Sequence, residues 1–456
     1  MADERDVDAV VIGGGPAGEV AAGRLGLAGL DVVLVERELV GGECSYYACM
    51  PSKALLRPGD LVHEVGRVPG VVLGDPPLDV PRALARRDEV VHDLDDAVQL
   101  PWLEERGVSL RRGQARLEGE RLVRVGDELL RARRAVIVAT GSGPAVPPIP
   151  GLAEAAPWSN REATTAKEVP GRLLVLGGGV VGVEMAQAWS SFGASVAVVE
   201  AGPRLIAREE EFASQEVLEG LRAAGVDVRL GARATAASRG AGGQVGLELE
   251  DGTALAGDEL LVAIGRRPRT EELGLETVGL RPGEAIEVDD RMRAGGSDWL
   301  YAIGDVNGRA LLTHAGKYQG RVAADNVLGR DARAIADGPA SPRVIFTDPQ
   351  VAAVGHTLAS AREAGLRVRA VDHPTSGVAG GSFVGRNAAG TARLVIDEDR
   401  DALAGATFTG AEIAEMLHAA TIALVGEVPL DRLVHAIPSF PTRSEVWLRL
   451  LEKDGR

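Results

Sequence analysis

The chain has 456 residues, 45% of them hydrophobic and 25% charged, which is typical of a globular protein rather than a disordered one. At roughly 150 residues a domain, this length predicts about three domains. The formal net charge of −16 argues against nucleic acid or an anionic membrane as a partner, because such surfaces are bound through clustered Lys and Arg.

The first segment predicts a cytoplasmic protein. It reads MADERDVDAVVIGGG, with acids where a secretion signal has basic residues. No apolar stretch in the sequence reaches the roughly 20 residues that cross a bilayer. In a reducing cytoplasm a structural disulfide is not expected, and a close pair of cysteines is typical of catalysis or metal binding.

The next feature is a strand, a helix and a second strand with a glycine motif at the first turn. Gly13, Gly15 and Gly18 form GxGxxG, the helix is predicted from about residue 16 to 29, and Glu36 ends the strand DVVLVE. The glycines allow a tight turn, the approach of a pyrophosphate and close packing of helix on strand, and Glu36 is placed to accept hydrogen bonds from ribose hydroxyls. The pattern predicts a dinucleotide-binding fold.

Both cysteines of the chain, Cys44 and Cys49, lie in VGGECSYYACMPSKALL at 40–56. Zinc needs further His or Cys ligands and none flank the pair, so no metal site is predicted. Residues five apart in a regular helix are separated by roughly 7.5 Å along its axis, whereas bridged Cα atoms lie within about 6.8 Å. A closed pair would therefore distort the segment and be easily reduced, as a redox relay requires, and two buried packing thiols are the alternative.

The dinucleotide pattern recurs later in the chain. Gly177, Gly179 and Gly182 follow the strand RLLVL, Glu200 ends the next strand, and ELLVAIG closes the unit at Gly265. Two such folds predict two dinucleotides.

The acid that ends the second fold bears on the choice of nicotinamide cofactor. No Arg stands directly beside Glu200 to take a 2′-phosphate, and the nearest is Arg204. NAD(H) is therefore favoured over NADP(H).

Together these elements predict an α/β protein with two Rossmann-like domains and a separate C-terminal α+β domain. The Pro/Gly-rich stretch GSGPAVPPIPG marks the crossing between the nucleotide domains, and an alternating pattern begins near Ser341. The predicted boundaries are 1–150 and 270–340 for the first nucleotide domain, 151–269 for the second, and 341–456 for the last.

From end to end the sequence resembles the pyridine nucleotide–disulfide oxidoreductases, flavoproteins that include dihydrolipoamide dehydrogenase, glutathione reductase and mercuric reductase. The resemblance rests on VVIGGGPAG, on GGxCxxxxCxPSK, on ATG, on the second glycine fingerprint, on YAIGDV and on FTDPQVAAVG. It implies FAD in the first fold, NAD(H) in the second, and a homodimer whose active site is shared between subunits. Fingerprints and resemblance together assign FAD contacts to Gly13, Gly15, Gly18, Glu36, Gly42, Lys53, Ala115, Thr140, Gly141, Asp305 and Thr313, and NAD contacts to Gly177, Gly179, Gly182, Glu200 and Gly265.

The resemblance also implies catalytic roles. Cys49 is expected nearest the flavin and Cys44 as the thiol that meets the acceptor, with a helix N-terminus lowering a thiol pKa. Lys53 and Glu184 are expected to pair beside the flavin, where a buried cation stabilises the anionic reduced form. Glu445 corresponds to the acid that orients a catalytic histidine.

That histidine is missing. The family motif HPTxSE is replaced here by FPTRSE, with Phe440 at the His position. A phenyl ring cannot carry a proton, and His435, His314 and the HPT at 373–375 are interpreted as surface or structural residues.

Aromatic side chains could line an acceptor site, and they occur both near the cysteines and near the C-terminal motif. Tyr46 and Tyr47 lie between the two cysteines and could offer a phenol or an aromatic wall, with packing as the alternative. Phe440 and Trp447 are predicted to add to an apolar acceptor site.

The sequence therefore predicts an FAD-dependent, NADH-oxidising enzyme that passes hydride through the Cys44–Cys49 disulfide to a small acceptor other than dihydrolipoamide or glutathione. One alternative is an NAD(P)H:quinone reductase, diaphorase or transhydrogenase-like enzyme that acts directly from the flavin. A third hypothesis, from another class, is a redox-sensing binding protein with slow turnover. Mercury reduction is disfavoured because the chain has no third cysteine.

Overall fold

The computed structural model describes residues 3–386 and 388–456, which fall into two compact units. Unit 1 consists of the segment ending at Pro51, Asp88–Pro144 and Arg266–Gly338. Unit 2 consists of Ser52–Arg87, Ala145–Gly265 and Pro339–Arg456. The domain boundaries given above stay a prediction.

The strands of the described chain follow the predicted alternation with helices. In order they are β1 (Asp3–Ile12), β2 (Val32–Glu36), β3 (Val108–Arg112), β4 (Ala115–Leu117), β5 (Leu122–Val125), β6 (Glu128–Val138), β7 (Ser142–Pro144), β8 (Arg172–Leu176), β9 (Ser195–Glu200), β10 (Asp227–Leu230), β11 (Ala234–Arg239), β12 (Val245–Leu249), β13 (Ala254–Gly257), β14 (Glu259–Val262), β15 (Arg266–Pro268), β16 (Leu300–Ala302), β17 (Arg343–Ile345), β18 (Gln350–Gly355), β19 (Val368–Pro374), β20 (Thr391–Asp397) and β21 (Ala402–Gly410).

The α-helices, in the same order, are α1 (Pro16–Leu27), α2 (Gly42–Tyr46), α3 (Cys49–Arg67), α4 (Val80–Val90), α5 (Leu100–Glu104), α6 (Asn160–Thr165), α7 (Val180–Ser191), α8 (Glu211–Ala223), α9 (Thr313–Val327), α10 (Leu358–Glu363), α11 (Leu417–Val425), α12 (Leu430–Leu433) and α13 (Glu445–Lys453). Within the described residues, none of these helices combines the length and the apolar character needed to cross a membrane.

Unit 1 is built on one seven-stranded sheet with the order β3-β2-β1-β6-β5-β4, in which β16 also pairs with β6. The pairs β1/β2, β2/β3, β1/β6 and β16/β6 are parallel. Every residue of β2 is buried, as expected for a parallel strand covered on both faces. The parallel part carries the first glycine motif at the end of β1.

Unit 2 contains a second parallel sheet, β10-β9-β8-β14, and a small antiparallel sheet, β11-β12-β13. Its remaining sheet is antiparallel, β17-β18-β21-β20-β19, and carries α11 and α13 on an apolar core. Two Rossmann-like sheets and a C-terminal α+β portion confirm the predicted fold class. The sheet strands are rich in Val, Leu and Ile because both faces of each parallel sheet are buried.

Candidate active site

The first glycine motif is a turn that other residues could not form. Gly13 has φ +109°, and a Cβ there would lie 2.3 Å from the carbonyl oxygen of Ala139. A Cβ on Gly18 would lie 1.9 Å from the carbonyl oxygen of Gly13, so the start of α1 sits directly on the turn. Nothing lies within 4 Å of the Cβ position of Gly15, the N-cap of α1. The helix start therefore borders open space at the Cβ position of its N-cap, which fits the approach of a pyrophosphate.

Glu36 holds the same turn from the end of β2. Its carboxylate is buried and accepts hydrogen bonds from the N–H of Gly14 at 2.6 Å and of Glu38 at 2.7 Å. Both carboxylate oxygens of Glu36 thus have backbone donors, and the residue fixes the loop that the ribose is predicted to meet.

The second glycine motif repeats this geometry. Gly177 has φ +111°, and a Cβ on Gly182 would lie 2.0 Å from the carbonyl oxygen of Gly177. Gly179 is the N-cap of α7, and Glu200 accepts from the N–H of Gly178 and of Gly202, both at 2.6 Å. The two motifs are therefore built alike.

Arg204 is the arginine nearest to Glu200 in the sequence and bears on the choice of nicotinamide cofactor. Its guanidinium makes hydrogen bonds within its own loop. Its guanidinium donates to the carbonyl oxygen of Glu209 and to the hydroxyl of Ser214, each at 2.8 Å, and to the carbonyl of Ala207. A guanidinium held by these acceptors is not arranged to take a 2′-phosphate, which favours NAD(H).

Further predicted FAD residues gather in unit 1. Asp305 accepts a hydrogen bond from Ser142 Oγ at 2.6 Å, and Ser142 Oγ in turn accepts from Arg266 Nε at 2.6 Å. Thr140 donates to the carbonyl oxygen of Arg269 at 2.8 Å.

For three more of the predicted FAD residues, the structure gives the backbone conformation or the burial. Gly42 has φ +60°, and a Cβ there would lie 2.8 Å from Gly15 Cα. Gly141 has φ +70°, and Ala115 is buried at the start of β4. In unit 2, the predicted NAD residue Gly265 has φ +141°.

The cysteine pair is present as two half-buried thiols. Cys44 lies in α2 and Cys49 begins α3, so the segment is not one regular helix. Thr313 Oγ1 donates to Cys44 Sγ at 3.0 Å and lies 3.3 Å from Cys49 Sγ. The lowering of one thiol pKa by a helix N-terminus stays a prediction, and a hydrogen bond with Cys49 and burial raise the pKa of the Cys44 thiol. The physical reason is that the hydrogen bond stabilises the neutral thiol and burial disfavours the thiolate.

Lys53 and Glu184 form the predicted ion pair within unit 2. Lys53 Nζ lies 2.6 Å from Glu184 Oε2, and the side chains are 35% and 4% exposed respectively. Glu184 Oε1 accepts from the N–H of Phe346 at 3.0 Å, and Lys53 Nζ lies 4.8 Å from the centroid of the Phe346 ring. The carboxylate of Glu184 is thus held by a cation and a backbone N–H.

The C-terminal motif departs further from the expected site. Phe440 is 78% exposed, whereas Trp447 is buried and its ring centroid lies 5.7 Å from that of Phe408. The predicted contribution of Trp447 to an acceptor wall is therefore wrong, because this side chain belongs to the core under α13. Glu445 is buried and accepts from the N–H of Gly380 at 3.1 Å.

The two tyrosines between the cysteines differ. Tyr46 is buried in unit 1, mainly a packing position, and burial raises the pKa of its phenol to about 12. Tyr47 is half-buried, with its ring centroid 6.4 Å from that of Tyr46. Across residues 3–386 and 388–456, no group of three or more His, Cys, Asp or Glu side chains is arranged to hold a metal ion.

One charged residue of unit 1, Glu19, has a shifted pKa that the sequence did not indicate. Glu19 follows Gly18 directly, and burial raises the pKa of its carboxyl to about 7. The available signal was an acid within the otherwise small and apolar start of α1, at PAGEVAAG. Such a residue looks like a surface charge until the elements packed around it are known.

Two nucleotide-binding folds and a vicinal pair of thiols define a dinucleotide-dependent redox enzyme. The family of pyridine nucleotide-disulphide oxidoreductases matches residues 7–320, and its dimerisation domain matches residues 341–450. The chain belongs to this family, and it is an oxidoreductase whose family uses FAD and NAD(H), as predicted. The match to the dimerisation domain supports the predicted homodimer.

Two curated relatives are dihydrolipoyl dehydrogenases. That of Thermus scotoductus is 36% identical over 454 residues, covering 98% of this chain and 96% of the relative. That of Haloferax volcanii is 34% identical over 459 residues, covering 97% and 95%.

A solved structure of similar fold is the HOCl-induced flavoprotein disulfide reductase RclA from Escherichia coli. It is 29% identical with a TM-score of 0.85, and the match covers 98% of this chain and 99% of RclA. A Cu(II) complex of RclA aligns with the same TM-score.

Proposed function

We propose that the protein uses NADH to reduce its Cys44–Cys49 disulfide through FAD, and then reduces a small acceptor with the resulting dithiol. The observation that carries this proposal is the contact of both sulfurs with the hydroxyl of Thr313, at 3.0 and 3.3 Å, in the unit that holds the first glycine motif. One NADH and one proton break the S–S bond and yield NAD⁺ and two thiols.

The residues have separate tasks in this scheme. The glycine motifs and Glu36 hold FAD at the start of α1, and the matching motif with Glu200 holds NAD(H) at the start of α7. When bound, FAD supplies the two-electron carrier between nicotinamide and disulfide. Lys53, paired with Glu184, would hold a positive charge for FAD when it is bound.

Phe440 restricts the acceptor. A positioned acid or base typically contributes about 10²–10⁴-fold, and the partner subunit of the proposed shared site would bring a phenyl ring to this position. We therefore propose an acceptor other than dihydrolipoamide or glutathione. Because RclA has been solved as a Cu(II) complex, Cu(II) belongs beside small disulfides among the acceptors to assay.

An anaerobic titration with NADH tests the relay. The holoenzyme should take up four electrons per FAD and develop a thiolate-to-flavin charge-transfer band. Cys49→Ser should remove the band and limit uptake to two electrons. Uptake of only two electrons by the unaltered protein would contradict the proposed relay.

The second candidate, direct reduction of a quinone from the flavin, is favoured by the missing proton donor. Steady-state assays of Cys44→Ser separate the two. Lost disulfide reduction with retained quinone reduction would assign quinones to direct transfer, whereas loss of both would assign both to the thiols.

Phe440→His tests the restriction on acceptors. Since this side chain is exposed, the change should leave folding intact and raise turnover of a lipoyl disulfide by up to about 10²–10⁴-fold. Phe440→Ala is the matched control and should not raise it. Equal rates for the His and Ala variants would show that the proton is not what limits this reaction.

A further inference from the structure

The helix that carries Cys44 is too short to hold its own position. Helix α2 spans Gly42–Tyr46, and its N-cap, Gly41, makes no side-chain cap. A helix of about one turn is not stable alone in water, so its place in the fold depends on contacts with other elements. Glu43 comes directly before Cys44, and its carbonyl oxygen accepts the N–H of Tyr47 at 2.8 Å. A contact that holds the Glu43 side chain therefore also holds the backbone of Cys44.

Two arginines from the segment that begins with β15 face the carboxylate of Glu43. Arg269 Nη2 donates to Glu43 Oε1 at 2.9 Å, and Arg266 Nη2 lies 3.9 Å from Glu43 Oε2. The side chains of Arg269 and Glu43 are only 26% and 16% exposed. A charge-assisted hydrogen bond that is largely shielded from water holds its geometry better than an ion pair on the surface.

Arg269 is itself fixed to the loop that is predicted to contact FAD. Its N–H donates to the carbonyl oxygen of Gly141 at 3.0 Å, and its carbonyl oxygen accepts from Thr140 Oγ1 at 2.8 Å. The three residues before it form β15, which pairs with β7. Arg269 thus joins this loop to α2, with its backbone bound to the loop and its guanidinium bound to Glu43.

We propose that Arg269 is a positioning residue that acts through Glu43: it holds Cys44 where the Cys49 sulfur reaches it, and so favours closure of the disulfide. Thr313 binds the sulfur of Cys44, whereas the Arg269–Glu43 pair holds the backbone that carries this sulfur. The inference rests on the proposed function, because it takes the Cys44–Cys49 disulfide as the bond that opens and closes in each turnover.

Closure is the second half of the reaction with a small disulfide, RSSR. The Cys44 thiolate attacks one sulfur, the S–S bond of RSSR breaks, and a mixed disulfide and RS⁻ form. The Cys49 thiolate then attacks Cys44 Sγ, the mixed disulfide breaks, and a second RS⁻ leaves. The cysteines release two protons to water and the two RS⁻ take up two, which gives two RSH and the enzyme disulfide. The second attack is intramolecular, so it depends on how Cys44 is held relative to Cys49.

The test measures closure on the FAD holoenzyme in two ways. In glutathione buffers, the equilibrium constant for oxidation of the cysteine pair should fall about tenfold in Arg269→Met and in Glu43→Ala, which raises the reduction potential by about 30 mV. With 2-hydroxyethyl disulfide, kcat should fall by up to about tenfold, whereas kcat/KM, which reports the first attack, should change by less than about threefold. Mass spectrometry of the acid-quenched enzyme should show the mixed disulfide at Cys44.

Three further variants separate positioning from a general loss of structure. Glu118→Ala removes a carboxylate of unit 1 that pairs with Arg124 at 2.7 Å, and it should leave the equilibrium constant unchanged. Glu43→Gln keeps an oxygen that accepts from Arg269 and should recover most of the constant. The double variant Arg269→Met/Glu43→Ala should be no worse than either single one, because each removes the same link. FAD content and the rate of flavin reduction by NADH should stay near those of the unaltered protein.

Three results would overturn the proposal. The first is an unchanged equilibrium constant in Arg269→Met and Glu43→Ala, the second is an equal fall in Glu118→Ala, and the third is a double variant in which the two losses add. Failure of the proposed function looks different, because Cys44→Ser would then leave disulfide turnover unchanged while the shift in the glutathione equilibrium remained.

Discussion

The two dinucleotide folds repeat each other at the glycines but place their next glutamate in opposite surroundings. Glu19 comes one residue after the last glycine of the first motif, and Glu184 two residues after that of the second. Glu184 lies 2.6 Å from a lysine and accepts a backbone N–H, whereas in the described part of the chain no ion pair holds Glu19. The carboxylate of Glu184 has a cation in contact, whereas burial raises the pKa of the Glu19 carboxyl to about 7, with the charge of Lys317 opposing the rise.

Removing the lysine from the paired glutamate should give the largest effect. Lys53→Met leaves the carboxylate of Glu184 buried without its cation, which should cost about 3 kcal/mol, the low end of the usual range because Lys53 is partly exposed. Urea unfolding of the variant measures it. The double variant Lys53→Met/Glu184→Leu should recover most of the loss, and a double variant as unstable as the sum of the single ones would show that the pair is not coupled.

The second largest effect is expected from a methyl group added to the last glycine of either motif. Gly18→Ala and Gly182→Ala each drive a Cβ against a carbonyl oxygen, so each should lower the free energy of unfolding by about 1–3 kcal/mol or more. Gly15→Ala and Gly179→Ala are matched controls, since their Cβ positions meet nothing closer than 3.9 Å. A large difference in the free energy of unfolding between Gly18→Ala and Gly182→Ala would show that the two folds do not pack this glycine alike.

The smallest effect, confined to one end of the pH range, concerns Glu19 itself. Its pKa is raised from 4.5 to about 7 on folding, so the folded chain holds the proton more tightly than the unfolded chain. This stabilisation is complete below about pH 4.5 and is lost as the pH rises through about 7. Glu19→Gln should therefore unfold like the unaltered protein at pH 4.5 and be more stable at pH 8. Unfolding curves that run parallel across this range would contradict the shift. The control is Glu120→Gln, which changes an exposed acid of unit 1 and should show no pH-dependent difference.

Local signals predicted much of the fold and of the candidate site. The glycine spacing located both turns because only a residue without a Cβ fits φ near +110° against a carbonyl oxygen. Glu36 at the end of β2 was predicted as a ribose acceptor and Glu200 at the end of β9 as an NAD contact. The structure shows both bound to backbone N–H groups of their own loops.

What the sequence could not supply depends on packing between distant segments. Trp447 and Phe440 are aromatic residues that lie close together in the sequence, yet one is core and the other exposed. Trp447 lies on the buried face of α13, whereas Phe440 precedes that helix. Thr313 was predicted only as a cofactor contact, since its bond to Cys44 joins residues 269 positions apart. The charge of Lys317 likewise acts on the pKa of Glu19 only because the fold brings α9 against α1.

The contact of Thr313 with both sulfurs closes a ring of three hydrogen bonds, because the two thiols also bond each other. Each member of the ring can donate once and accept once. Thr313 donates to Cys44, so its oxygen is left to accept from Cys49, and this sets the sense of the ring. The hydroxyl therefore favours a thiolate at Cys44, against the effects of Cys49 and burial. A two-cysteine segment cut out of this sequence lacks that asymmetry, because Thr313 comes from α9, 269 positions away from Cys44.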